Sequence, residues 1–390
     1  MITILQVISD TNIGGGGRSL LNYLRCQDRA EFCSHVALPR GSALAEPVRA
    51  LDVPVHEIDG MADRSMDLGA VGPLCRVIRE VRPDVVHTHG AMAGRAAARL
   101  CGRRTIYTKH CVFPLGPFMS SPLGRLTGRL TDACLSDGAI AISPSVRELL
   151  LQSGVPDRKI HVLYNGVAPL EKPEEAQREA LRRSYGFDRE DFVLGILARV
   201  ETYKGHGVLL EAARLLLERG RRVKVLIAGD GDDLDHIRRE AESLPPGTAV
   251  FTGFLTQVER ALWAMDLQVN ASTESEGTSL SLLEGMSLGL PAVVSDVGGN
   301  PMLIRDGENG LVVPRRDSAA LADAVAGLMD DPGRMEGMSR RAEEIFQERF
   351  TAESFAKHME DVYRTVLKGA HHGTKSVSYT HLRAHETRHD

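Results

Sequence analysis

The sequence predicts two doubly wound parallel α/β domains that face each other across a cleft. Three observations predict it. Short runs rich in Val and Ile alternate with longer amphipathic stretches, the rhythm of a parallel sheet covered by helices on both faces. That rhythm stops at a polar, proline-bearing stretch, Glu171-Lys-Pro-Glu-Glu175, and then restarts. A chain of 390 residues also exceeds what one ordinary core organises.

The elements follow in order. The first half offers strands at 2–8, 35–38, 85–89, 105–109, 139–143 and 161–164, with helical patterns at 19–25 and 74–81. The second half offers strands at 192–198, 223–228, 250–252, 267–270, 292–295 and 310–313. Its clearest helices are 207–218 and 278–288, the latter closed by Gly289 and stopped by Pro291. The division is therefore 1–168 for the first domain and 169–368 for the second. A terminal helix over 351–368 is counted with the second, although periodicity does not identify its packing partner. Residues 371–390 have few large aliphatics and no period. They read like a translated sequencing adapter, not native protein, and they and their histidines are set aside.

Composition narrows the function classes. A formal charge of −5 argues against general nucleic-acid binding. Residues 1–168 carry 19 Lys and Arg against 15 Asp and Glu, so the mild positive excess lies in the first domain. That excess suits contact with an anionic membrane or acceptor, and equally a solvated surface. The six cysteines, Cys26, Cys33, Cys75, Cys101, Cys111 and Cys134, lack Cys-x-x-Cys spacing. They predict free thiols in a reducing cytoplasm and no metal site. The N-terminal apolar run stops at Ser9-Asp10 without a signal-peptide pattern, and no run approaches the roughly 18 apolar residues of a membrane span. The expectation is a cytoplasmic protein, at most peripheral at the inner face of the membrane.

Open parallel sheets bind ligands beyond the carboxyl ends of their strands, and the informative segments fall there. Gly14-Gly15-Gly16-Gly17 follows the first strand and opens a helix, so backbone can approach an anion at a helix start. Ser19 breaks the dinucleotide fingerprint, which disfavours a nicotinamide enzyme. Arg199 and Lys204 occupy the loop after the strand at 192–198, a cation pair suited to a diphosphate. Glu276 and Glu284 bracket the start of the 278–288 helix. Taken as helical they stand about 12 Å apart along the axis, at 1.5 Å per residue. Two such acids can address the two ends of an extended nucleotide sugar. The N–H groups of Thr278, Ser279 and Leu280 would face the phosphates between them. Glu284 lies in a largely apolar helix, so it needs a partner or a ligand.

Together these residues resemble the retaining glycosyltransferases of family 4, which have the GT-B fold. The resemblance runs from about Ile4 to Val366. It includes Val-His-Thr-His-Gly at 86–90, Ala-Ile-Ser-Pro-Ser at 141–145, Tyr-Asn-Gly-Val at 164–167 and Ala-Gly-Asp-Gly at 228–231. The remaining pieces are Arg199 with Lys204-Gly205-His206, the Glu276…Glu284 pair, and Gly-Leu-Pro-Ala-Val-Val-Ser-Asp-Val-Gly-Gly at 289–299. It implies transfer of a sugar from a nucleoside diphosphate with retained anomeric configuration, by same-face attack and without a metal or other cofactor. It implies that the first domain takes the acceptor, whose identity is open between lipid-linked and envelope-polysaccharide chemistry. It further implies that Arg199 and Lys204 hold the diphosphate, Glu276 the sugar and Glu284 the ribose. Gly15 and Gly16 would approach the donor phosphate, and backbone at Gly253 and Phe254 the base. His110 matches a histidine that contacts the transferred sugar. His89 reads equally well as a satisfied core histidine. Relatives commonly carry Glu where this chain has Met302, and a thioether cannot accept as a carboxylate does. The alternatives are a sugar-nucleotide 2-epimerase and a non-catalytic nucleotide-sugar binder. The second would be expected to lose Arg199, Lys204 or Glu276, and none is lost. A further apolar segment, Phe113–Met119 with Arg125 and Arg129 beyond it, reads either as a membrane-resting loop or as a buried one.

Overall fold

The computed structural model describes residues 1–61, 67–110, 112 and 115–369. Seven strands form the first sheet: β1 (Ile2–Ile8), β2 (Phe32–Pro39), β3 (Val55–Ile58), β4 (Val85–His89), β5 (Arg104–Lys109), β6 (Gly138–Ala141) and β7 (Ile160–Val162). Their order is β3-β2-β1-β4-β5-β6-β7, all parallel. Six form the second: β8 (Phe192–Leu197), β9 (Val223–Ala228), β10 (Ala249–Gly253), β11 (Leu267–Asn270), β12 (Ala292–Ser295) and β13 (Gly310–Val313). Their order is β10-β9-β8-β11-β12-β13, also all parallel. In both sheets the order reverses at one place, between β1 and β4 and between β8 and β11. Ligands of doubly wound sheets bind at such points.

The strands are apolar because both faces are covered. In β1, Ile4 and Ile8 enter one cluster while Leu5 and Val7 enter another on the opposite face. β8 divides likewise, with Leu194 and Ile196 on one side and Val193 on the other. β3 has no counterpart among the strands read from sequence. It is a four-residue edge strand in which only Ile58 is buried, so it carries little hydrophobic signal.

The helix Ala352–Leu367 starts at Thr351, whose side chain caps the Ser354 N–H. It packs on the first domain: Phe355, Met359, Tyr363 and Val366 join Leu20, Tyr23 and Leu24 in one core. In space it therefore belongs with residues 1–168, not with the second domain to which chain order assigns it. Full burial of each large apolar side chain contributes about 1.5–3 kcal/mol, so the helix is a structural part of that core. The chain thus crosses between the domains twice, side by side. Val167 N–H donates to the Phe350 carbonyl at 3.0 Å, and Ala352 N–H to the Val167 carbonyl at 3.0 Å. Gly166 permits the crossing, because a Cβ there would collide with the Thr351 carbonyl and meet Phe355 Cβ at 2.7 Å. Asn165 and Gly166 are also held from the first domain, by Ser19 Oγ at 2.8 Å and Asn22 Nδ2 at 2.9 Å.

Among the described residues no helix is long and apolar enough to cross a membrane. Cys26, Cys33, Cys75, Cys101 and Cys134 are free thiols. Cys111, Phe113, Pro114 and the tail after Gly369 lie outside the described residues.

Candidate active site

On the first-domain side, the chain leaves β1 and enters the helix Gly15–Cys26, with Gly14 at the N-cap and no side-chain cap. Gly15 is open: a Cβ there would meet nothing within 4 Å. Gly16 lies against the His110 ring, 3.4 Å from where its Cβ would be. His110 follows β5, and its Nε2 is 2.9 Å from His89 Nδ1. Burial lowers the His110 pKa to about 4, so the ring is neutral at ordinary pH.

On the second-domain side, the loops after β8 and β11 meet at the reversal of the sheet. Gly205 brings them together. It has φ +77°, and a Cβ there would strike the Ala271 carbonyl. Thr273 N–H donates to the Tyr203 carbonyl at 2.8 Å. Lys204 Nζ thereby reaches Glu276 Oε2 at 2.9 Å. The same oxygen accepts from Ser272 Oγ at 2.8 Å and Asn270 Nδ2 at 3.2 Å, and Asn300 Nδ2 supports Asn270 at 3.3 Å. Gly298 and Gly299 lie directly behind this carboxylate loop, with Gly299 N–H donating to the Glu276 carbonyl at 3.0 Å. The carboxylate is aimed by its second-domain neighbours, and the bonds to it from the described residues converge on one oxygen.

The two sides touch. Thr278 Oγ1 donates to the Ile142 carbonyl at 2.6 Å, and Ser145 Oγ to the Gly298 carbonyl at 2.9 Å. At Gly277 a Cβ would come within 2.9 Å of Ile142 Cδ1 and 3.1 Å of the His110 carbonyl. Arg18, in the first turn of the Gly15–Cys26 helix, pairs with Glu284 Oε1. Glu284 is buried, and its Oε2 has no partner. Burial pushes this carboxyl up to about 7, against the lowering effect of the Arg18 guanidinium.

Several sequence expectations change in detail. The helix begins at Leu280 with Ser279 as its N-cap, not at Thr278, and Ser279 Oγ accepts from Leu282 N–H. Its first-turn N–H groups are thus those of Leu280, Ser281 and Leu282, and Thr278 bonds across the cleft instead. Glu276 is in the preceding loop, so the two-turn helical spacing between Glu276 and Glu284 does not apply. Arg199 stands at the end of β8 as expected, but its guanidinium is 62% exposed and bonds Glu201 at 2.9 Å, apart from the Lys204–Glu276 pair. Gly253 ends β10 with φ +67°, and the Phe254 side chain after it is 72% exposed. Met302 lies in the short helix Asn300–Leu303, half-buried. Sequence reading missed Arg18, Asn270, Ser272 and Asn300. Position after a strand was a usable signal for Asn270 and Ser272, whereas Arg18 and Asn300 act through contacts distant in sequence. Among the described residues no three His, Cys, Asp or Glu side chains are grouped to hold a metal ion.

Comparison with known proteins bears on the same two halves. Residues 13–169 match the family model described as Glycosyltransferase Family 4, and residues 191–331 match Glycosyl transferases group 1. The chain is 29% identical over 315 residues to EpsD of Bacillus subtilis, covering 77% of this chain and 81% of that one. It is 28% identical over 285 residues to a D-inositol 3-phosphate glycosyltransferase of Kribbella flavida, covering 68% of this chain and 67% of the relative. The crystal structure of Anabaena HepE in complex with UDP-glucose superposes with a TM-score of 0.79 at 21% identity, over 94% of this chain and 100% of that one. That likeness fixes the fold as GT-B. With both halves matched in order, and the cleft built at the reversal points of the two sheets, the chain belongs to the family 4 glycosyltransferases.

Proposed function

We propose that the protein transfers a sugar from a nucleoside diphosphate sugar to an acceptor taken up by the first domain, with retained anomeric configuration. One observation carries this reading: Lys204 and Glu276 form a 2.9 Å pair at the reversal point of the second sheet, beside the start of the Leu280–Ser287 helix. In this reading Lys204 and the N–H groups of Leu280 and Ser281 take the leaving diphosphate, where negative charge develops. Arg199 reaches the same phosphates by exchanging its exposed bond to Glu201 for the donor. Glu276, steadied from behind, accepts hydroxyls of the sugar, and the unpartnered Oε2 of Glu284 accepts those of the ribose. Gly15 and Gly16 give the phosphates room on the opposite wall. Gly253 and Phe254 offer backbone to the base. His110 meets the transferred sugar. The leaving phosphate receives the acceptor proton on the face of attack. Closure of the domains excludes water and limits donor hydrolysis. UDP-glucose in HepE makes uridine sugars the first donors to try.

The acceptor is lipid-linked or a cell-envelope polysaccharide, reached by a cytoplasmic enzyme resting on the anionic inner face of the membrane. What supports the membrane contact is the helix Pro122–Leu135, which leaves Leu123, Leu126 and Leu130 each more than half exposed, beside exposed Arg125 and Arg129.

The test is thermal shift against UDP-, GDP- and ADP-sugars, followed by turnover of the stabilising donor with Lys204→Ala. A bound donor raises the melting temperature. The variant should stay folded and lose at least roughly tenfold in turnover, about 1.4 kcal/mol of transition-state stabilisation. Wild-type turnover in the variant would remove Lys204 from the mechanism. Conversion of donor to its epimer without acceptor would replace transfer by epimerisation.

A further inference from the structure

One face of the first sheet carries a file of polar side chains among apolar neighbours. Gln6 pairs in register with His87, and His89 with Thr108, while His110 follows two residues later. Ile4, Val85 and Ile106 flank them, and the Ala352–Leu367 helix covers them. Buried polar groups in such a setting cost about 1–3 kcal/mol each unless they are bonded. Here they bond one another. Thr108 Oγ1 is 2.8 Å from His87 Nε2, and His87 Nδ1 is 2.8 Å from the Tyr363 hydroxyl. Gln6 Nε2 donates to that hydroxyl at 2.9 Å, and Gln6 Oε1 is 3.0 Å from His89 Nε2. His89 Nδ1 then meets His110 Nε2 at 2.9 Å.

The file has a direction. Burial keeps the three imidazoles neutral, so each has one N–H and one lone pair. Gln6 Oε1 can only accept, so His89 is protonated on Nε2. His89 Nδ1 is then a lone pair, and His110 must donate from Nε2. At the other end, the Tyr363 hydroxyl takes the Gln6 N–H and passes its own proton to His87 Nδ1, whose Nε2–H goes to Thr108. His110 Nδ1 is left with a lone pair, buried and without a partner. Turning the Gln6 amide over would reverse the file and leave an orphaned N–H there instead, the rarer of the two defects in folded proteins. The His110 ring lies against Gly16 and its carbonyl beside Gly277, so the open end of the file is at the cleft.

We infer that Gln6, His89 and Tyr363 are positioning residues that hold the His110 proton on Nε2, so that Nδ1 offers an acceptor to a hydroxyl of the transferred sugar. The inference rests on the proposed glycosyl transfer for its ligand, though not for its geometry. It makes the C-terminal helix, through Tyr363, part of the apparatus that aims the site.

The experiment is long-range proton–nitrogen correlation on ¹⁵N-histidine-labelled full-length protein at pH 7, with His110 assigned by its loss in His110→Asn. A neutral ring protonated on Nε2 is expected, and protonation on Nδ1 or a charged ring overturns the inference. Gln6→Met removes both bonds while keeping the volume. It should let His110 populate both tautomers and lower kcat at least about fivefold, with KM for the donor changed less than about twofold. Should Gln6→Met not fold, Tyr363→Phe keeps the ring packing and releases the amide, with the same shift in tautomer expected. An unchanged tautomer in the folded variant overturns the positioning role. The two levels separate cleanly. Absence of turnover with every sugar nucleotide, beside an Nε2-protonated His110, defeats the transfer reading alone. Normal turnover beside the wrong tautomer defeats this inference alone.

Discussion

Gly205 shows how much of the site depends on single residues. Its left-handed backbone and its contact with the Ala271 carbonyl allow the β8 and β11 loops to touch, and Lys204 meets Glu276 only because they do. Gly205→Ala should therefore act twice. Strain and the carbonyl clash are expected to cost on the order of 1–3 kcal/mol, read as a lower melting temperature. Displacement of Lys204 should also reduce turnover by more than the loss of stability explains. A variant with wild-type melting temperature and turnover would show that the loops do not need this approach. The same scale explains why Glu276 was easier to read than its supports. An acid and a cation beyond strand ends declare themselves in sequence. Asn270 and Ser272 do so only once the loop is seen to curl back on itself, and Asn300 only once its distant packing is known.

Among elements, the strands were the most legible. Eleven of the twelve expected from sequence begin and end within about three residues of those in the structure, because runs buried on both faces have few other readings; β6 ends earlier, at Ala141, where Ser143 turns to cap the next helix. β3 escaped because an edge strand lacks that signal. The start of the Leu280–Ser287 helix was placed two residues early: Thr278 has helical surroundings in sequence, but its hydroxyl is drawn to the Ile142 carbonyl of the other domain. Periodicity could not find the Pro122–Leu135 helix as an amphipathic surface either, since its inward face is made of Gly124, Gly128 and Asp132 while leucines point outward. This inversion yields a prediction. Replacing Leu123, Leu126 and Leu130 by Ser should leave the fold intact and weaken sedimentation with anionic vesicles at least about tenfold, or about 1.4 kcal/mol. No binding of the unaltered protein to such vesicles would withdraw the membrane contact.

At the scale of the whole molecule, the first domain is incomplete without the end of the chain. Removing residues 351–390 would strip Phe355, Met359, Tyr363 and Val366 from its core and leave Gln6 and His87 without the Tyr363 hydroxyl. Several losses of about 1.5–3 kcal/mol each approach the whole stability of a domain, about 5–15 kcal/mol. The truncated protein is expected to lose protection from hydrogen exchange throughout β1–β7 while β8–β13 keep theirs. Equal protection in both sheets would show that the helix is dispensable. Sequence could divide the chain into two rhythms, but it could not show that the last element returns to the first.

That return has a bearing on biosynthesis. The half of the polypeptide made first must wait, with one flank of its sheet bare, until the final helix leaves the ribosome. The half made second has all its strands in hand earlier. Maturation should therefore run opposite to translation, and a ribosome stalled near residue 350 would hold a finished nucleotide-side domain tethered to an unfinished partner.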